Sequence, residues 1–244
     1  MEVHHHSHHP KKWKEYLTEF VMLFVAVTLG FFAENQREHF VERHREVEYM
    51  ESLMEDLSKD KEDLNAAKKY TEAQVLFQDT AIAILSKRDW SRENILTLYR
   101  ASLKIAGSRP ATFIERTSSQ LKSGGMRLVA DKHVATLISE YWQLINQFNE
   151  YENVTMIGFR TDVKNMTYKI FDGTNYVDPK NRTIKEDADL MTYDKNTLLE
   201  YNNRLLNLNY DTKKFVLSFF YDKMLSKVDE IQKAIHDSYH IPVK

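Results

Sequence analysis

The chain has 244 residues, with 34 Lys and Arg against 36 Asp and Glu, ten His and no Cys. A net charge near zero leaves no basic field to hold nucleic acid, and the missing cysteines exclude disulfides, thiolate catalysis and Cys-based zinc sites. Six Gly and four Pro are few for this length, so turns are rare, long helices are favoured, and an all-β fold is excluded.

The N-terminus opens on a tail, residues 1–15, rich in His and Lys. His4, His5, His6, His8 and His9 precede Pro10, and Lys11, Lys12 and Lys14 follow. The interrupted His run reads as a solvated native tail; imidazoles are good metal ligands, but no carboxylates stand beside them to orient the rings. From Phe20 to Ala33 there is no charged residue, and Tyr16, Leu17 and Thr18 extend the apolar run in front, with only Glu19 interrupting. A spanning helix needs about 17–25 residues, so residues 16–34 form a short transmembrane helix, with Trp13, Tyr16 and the lysines as interfacial anchors. A cleaved signal peptide is disfavoured, because no Ala-x-Ala site follows and the run passes directly into Glu34 and a charged helix. Lysines lie close before the span and glutamates crowd after it, which places the N-terminus in the cytoplasm and residues 35–244 in the periplasm.

Two features of the span bear on function. Ala26, Gly30 and Ala33 share one face, and Ala26-x-x-x-Gly30 is a small-xxx-small pattern that lets helices approach closely in lipid. Glu19 is an ionisable group near membrane depth, read either as snorkelling to the interface or as facing water or a partner.

Residues 35–65 form a stalk in which Phe40, Val47 and Met54 and then Met50, Leu57 and Leu64 repeat every seven positions, as in the a and d positions of a coiled coil. The same register carried backwards reaches Ala26 and Ala33, so the span and stalk are predicted to be one helix. Ala26, Gly30, Ala33, Phe40, Val47, Met50, Met54 and Leu57 are the candidate oligomer interface. Packing of the stalk against its own domain is the competing expectation, and Arg43 and Lys61 interrupt the seam. The remainder, 66–244, is predicted as a bundle with helices near 66–87, 92–106, 111–123, 126–172, 194–208 and 212–238. Arg109-Pro110 breaks the chain, and 173–192 is an irregular polar stretch. The fold class is therefore all-α: a transmembrane helix, a stalk helix and an extracytoplasmic helical bundle.

Chemistry-bearing residues are sparse. Ser123-Gly124-Gly125 before Met126 offers amides at a helix start, but two glycines between helices more simply terminate one. Ser118, Ser119, Asp131 and His133 have no spacing that sets a nucleophile beside a base. Asn153, Asn165 and Asn181 begin glycosylation sequons, which matter only in a eukaryotic secretory pathway. No catalytic, cofactor or metal residues are assigned, and no enzyme activity is expected.

Lys11-Lys-Trp-Lys-Glu-Tyr16, Gly30-Phe-Phe-Ala-Glu-Asn35, Tyr49-Met-Glu-Ser-Leu53 with Asp56-Leu57, and Thr117-Ser-Ser-Gln-Leu-Lys-Ser-Gly-Gly-Met-Arg-Leu128 followed by Tyr141-Trp142 resemble an uncharacterised family of small single-pass membrane proteins common in Bacteroidetes. The resemblance covers roughly residues 1–150. It implies a bacterial inner-membrane protein with a periplasmic helical domain and carries no activity. The expected role is a membrane-anchored structural or interaction subunit that self-associates, with the lipid bilayer, copies of itself and an unidentified membrane or periplasmic protein as partners. The alternatives are a pore-forming or energy-coupling component using Glu19, and a sensory subunit that signals through a separate protein.

Overall fold

The computed structural model describes residues 12–177 and 183–242. The His run, most of the N-terminal tail and Asn181 lie outside the described residues. The protein is all-α: α1 Trp13–Lys87, α2 Arg92–Ser102, α3 Arg116–Lys122, α4 Lys132–Tyr151, α5 Ile157–Ile170, α6 Lys195–Asp211 and α7 Asp222–Tyr239. A π-helical turn, Glu152–Met156, joins α4 to α5, and a longer π-helical stretch, Thr212–Tyr221, joins α6 to α7. Among the described residues there are no strands, only two isolated bridges, Phe171 to Leu190 and Tyr176 to Ile184.

The chain divides into two compact units, Met1–Tyr49 and Met50–Lys244, and α1 contributes to both. In the first unit the apolar side chains point outward: Phe20, Leu23, Phe24, Leu29, Phe31 and Phe32 are all exposed. Its threonine hydroxyls are satisfied within the helix, Thr18 donating to the Lys14 carbonyl and Thr28 to that of Phe24, both at 2.8 Å. A segment whose polar groups bond internally while its apolar groups face out is suited to hydrocarbon.

The second unit buries its apolar stripes. Met50, Met54, Leu57, Leu64 and Ala67 of α1 are in the core with Val134, Leu137, Ile138 and Phe148 of α4 and Val228, Ile231 and Ile235 of α7. Helix α4 packs against α7, and α5 against α6. Ion pairs Lys61–Asp229, Lys68–Asp222 and Asp79–Lys213 climb α1 as they descend the C-terminal helices, so the two run antiparallel. Helix α4 buries one apolar stripe: Val134, Leu137, Ile138, Tyr141 and Phe148.

Several boundaries differ from the sequence reading, each for a local reason. The bundle begins at Met50 rather than at residue 66, because the stalk from there on is already its core helix. Met50, Met54 and Leu57, assigned above to an intermolecular seam, are at most 2 % exposed. A side chain surrounded by its own chain is not free to be a knob in another, so these three are core residues. Phe40, by contrast, is 82 % exposed and Val47 half-buried. Helix α2 stops at Ser102 because the Gln74 amide binds the carbonyls of Lys104, Ile105 and Gly107, and Gln78 also binds that of Ile105. The helix expected from residue 126 starts at Lys132, where the Asp131 carboxylate accepts from the amides of His133 and Val134 as an N-cap. The helix expected over 111–123 starts only at Arg116, because the preceding backbone is held open by α1.

Candidate functional site

Helix α1 is the one described helix long and apolar enough to cross a membrane, and its 18-residue apolar stretch has no buried share. A core helix of similar composition would be enclosed by neighbours; this one is bare. Ala26, Gly30 and Ala33 are exposed on it, and a Cβ added at Gly30 would meet nothing within 4 Å. Glu19 is also exposed in this segment.

The bundle's most developed polar arrangement was not singled out from sequence. Asp56, Asp60 and Asp63 lie on one face of α1, spaced four and three residues apart. Together they hold the extended strap 109–115 and the first turn of α3, which follow α1 in the antiparallel sense. Asp63 accepts from the Thr112 amide at 2.8 Å, the Thr112 hydroxyl at 3.1 Å and the Arg109 guanidinium at 2.8 Å. Asp60 accepts from the Ile114 amide at 2.9 Å and from the Tyr141 hydroxyl of α4 at 3.0 Å. Asp56 accepts from the Thr117 amide at 3.2 Å, the Thr117 hydroxyl at 2.6 Å and Arg116 at 2.8 Å. Three carboxylates thus replace the helical partners that the strap's amides forgo, which is why residues 111–115 do not join α3.

The three are not equivalent electrostatically. Asp63 and Asp56 each pair with an arginine, while no ion pair reaches Asp60 among the described residues. Burial raises the Asp63 carboxyl, but the Thr112 donors and Arg109 outweigh it and hold the group below the usual carboxylate range. Asp60 is 3 % exposed. Desolvation, aided by the like charges of Asp56 and Asp63, overcomes its two hydrogen bonds and pushes its carboxyl up to about 6. Tyr141 is driven well above the ordinary phenol range by burial and by the Asp60 charge. Beside these groups lies a cleft of about 310 Å³, bounded by α1, the strap and α4, with Phe113, Trp142, Asn146 and Asn149 on its walls. Phe113 stands edge-on to Tyr141 and Phe148, with ring centres 6.4 and 6.1 Å apart, so the strap is anchored by an aromatic as well as by hydrogen bonds.

A second, larger cleft of about 890 Å³ lies between the end of α2 and α5, lined by Leu103, Lys164, Tyr168, Phe171, Tyr176 and Met191. Below it the Tyr99 hydroxyl donates to the Asp189 carbonyl at 2.7 Å and accepts from the Asp172 amide and the Asn175 side chain, tying down the 171–190 region that sequence left irregular.

The weaker sequence candidates are not assembled. The Ser118 hydroxyl donates to the Glu115 carbonyl, Asp131 is occupied by its capping role and by Ser238, and His133 is exposed. Gly124 has φ +138°, a conformation open to glycine, and leads into a four-residue 3-10 turn, Gly125–Leu128, too short to form a phosphate-binding helix start. No group of three or more His, Asp or Glu among the described residues is placed to hold a metal ion. Comparison with family models, with curated proteins and with solved structures found no match to this chain.

Proposed function

We propose that this protein is a membrane-anchored interaction subunit: residues 16–34 cross the bacterial inner membrane, the N-terminus is cytoplasmic, and the bundle is presented in the periplasm to a protein partner. The observation that carries the proposal is the bare apolar stretch of α1, whose threonine hydroxyls are bonded within the helix and no part of whose apolar window is buried in the chain. The family resemblance and the lysines before the span support the same orientation. Self-association is assigned to Ala26, Gly30 and Ala33 of the span and to Phe40 and Val47 after it, since Met50, Met54 and Leu57 are committed to the core. The exposure of Glu19 within the same segment favours, as a second reading, a pore-forming or energy-coupling role for the assembled spans.

Cross-linking in membranes followed by mass measurement tests the assembly. Wild type is expected to cross-link to itself, and Gly30→Leu to reduce this strongly by holding the helices apart, at a cost to association of a few kcal/mol at most. Because nothing lies near Gly30 within the chain, the substitution is expected to leave the bundle's melting temperature unchanged. A wild type that never cross-links to itself would remove self-association from the proposal.

A further inference from the structure

The cleft between α1, the strap and α4 contains a charge that the protein does not neutralise. Asp56 is paired with Arg116 and Asp63 with Arg109, while Asp60, almost fully buried, has only an amide and a phenol as donors. Each carboxylate oxygen accepts one hydrogen bond and keeps a further lone pair. Its surroundings are also suited to a cation. Phe113, Tyr141 and Trp142 supply aromatic surface to the same cavity, and ring faces attract ammonium groups. One of these rings is already taken: the Lys122 ammonium sits 4.8 Å above Trp142, so Phe113 and Tyr141 are the rings that remain. Lys122 lines the same cleft, but neither it nor any other described cation forms an ion pair with Asp60. The charged groups that line the cleft with Asp60 are Asp56 on α1, Glu115 on the strap and Lys122 on α3; Asp63, Arg109 and Arg116 flank it in the ion pairs already described, and α4 contributes only uncharged residues to the lining. The volume, about 310 Å³, is at the small end for ligand sites.

We propose that this cleft is a binding site for a small organic cation, an amine or quaternary ammonium, held between the Phe113 and Tyr141 rings and the Asp60 carboxylate. A cation there supplies the missing counter-charge and fills an aromatic-walled space. Neither the membrane assignment nor self-association is needed for this site.

The test is isothermal titration calorimetry of the full chain in an uncharged detergent, with benzyltrimethylammonium as the probe. That ion keeps its charge at every pH, so any pH dependence belongs to the protein. With the Asp60 carboxyl at about 6, affinity is expected to fall roughly ten-fold between about pH 7.5 and about pH 5, as the carboxylate is protonated. Neutral benzyl alcohol is expected to bind at least about ten-fold more weakly than the cation at the higher pH. Asp60→Asn, which keeps the shape and hydrogen-bonding capacity of the side chain, is expected to lose the binding while remaining folded. Asn146→Trp, placed at an exposed lining position, is expected to block the cleft sterically. Undetectable binding at millimolar probe, affinity independent of pH, equal affinity for benzyl alcohol, or an Asp60→Asn variant that binds as wild type does would each overturn the proposal.

Discussion

Asp60→Asn is expected to stabilise the protein by about 3 kcal/mol at neutral pH, a direction opposite to that of most substitutions of a buried, hydrogen-bonded residue. The carboxyl is raised from 3.8 to about 6 in the folded chain, a shift of about two units at 1.36 kcal/mol each. A raised folded value means that the native state binds the proton more tightly than the unfolded chain does. The contribution of protonated Asp60 is therefore complete below about pH 4 and is lost as the pH rises through 6. Above that the ionised group is a buried charge without a counter-charge. Asparagine removes the ionisation but keeps the bonding, since its carbonyl accepts from the Ile114 amide and its NH2 donates to the Tyr141 oxygen. Denaturation of wild type and variant between about pH 4 and 8 is expected to show a stability difference near zero at the acidic end, growing to a plateau above about 6. Comparing the two proteins at each pH cancels the titrating groups that do not interact with Asp60. A variant less stable than wild type throughout would show that the strap needs the negative charge itself.

Breaking the buried ion pair Glu152–Arg160 is expected to be the most damaging change in the bundle. The guanidinium donates twice to the carboxylate, at 2.7 and 3.0 Å, and both side chains are about nine-tenths buried. The π-helical turn at 152–156 makes the pair geometrically available. Its i to i+5 bonding widens the turn, so residues eight apart in sequence come onto nearly the same face. Arg160→Met or Glu152→Gln alone leaves one group buried with its partner gone or weakened. The loss expected for Arg160→Met is about 3–5 kcal/mol, and a chain of this size would then melt about 10 °C lower. Replacing both, Glu152→Leu with Arg160→Met, is expected to recover most of that loss. Two apolar side chains need no desolvation, and the Arg160 Nε has no hydrogen-bond partner even in the intact pair. Thermal unfolding of the three variants decides between these outcomes, and a double variant as unstable as the worse single one would mean that the pair is required for the fold.

Long periodic segments were legible in the sequence because burial follows them directly. The α4 stripe from Val134 to Phe148 and the C-terminal stripe through Val228, Ile231 and Ile235 needed only the 3.6-residue repeat. The apolar run from Phe20 to Ala33 was legible for a different reason, its length without a charge. The seven-residue rhythm of the stalk did not say whose surface it would meet: the pattern of Met50, Met54 and Leu57 is the same whether it packs on another copy or on α7 and its neighbours. The aspartate row was missed because Asp56, Asp60 and Asp63 in a charged helix look like a solvated face. Their role comes from strap residues about 50–60 positions away, and no local signal announces that. The break at Arg109-Pro110 showed that a helix ends there but not that α1 would hold the next residues extended. Both π-helical segments were invisible, since their sequences continue the α-helical apolar pattern on either side.

The most direct test of the membrane assignment is a pair of reporter fusions placed after Lys244 in the full chain, one active only in the periplasm and one only in the cytoplasm. With residues 16–34 crossing the membrane and the N-terminus inside, the periplasmic reporter is expected to be active and the cytoplasmic one silent, with both fusions remaining in the membrane fraction after an alkaline wash. An active cytoplasmic reporter with a silent periplasmic one, or fusions released by the wash, would contradict the proposed topology and with it the periplasmic partner.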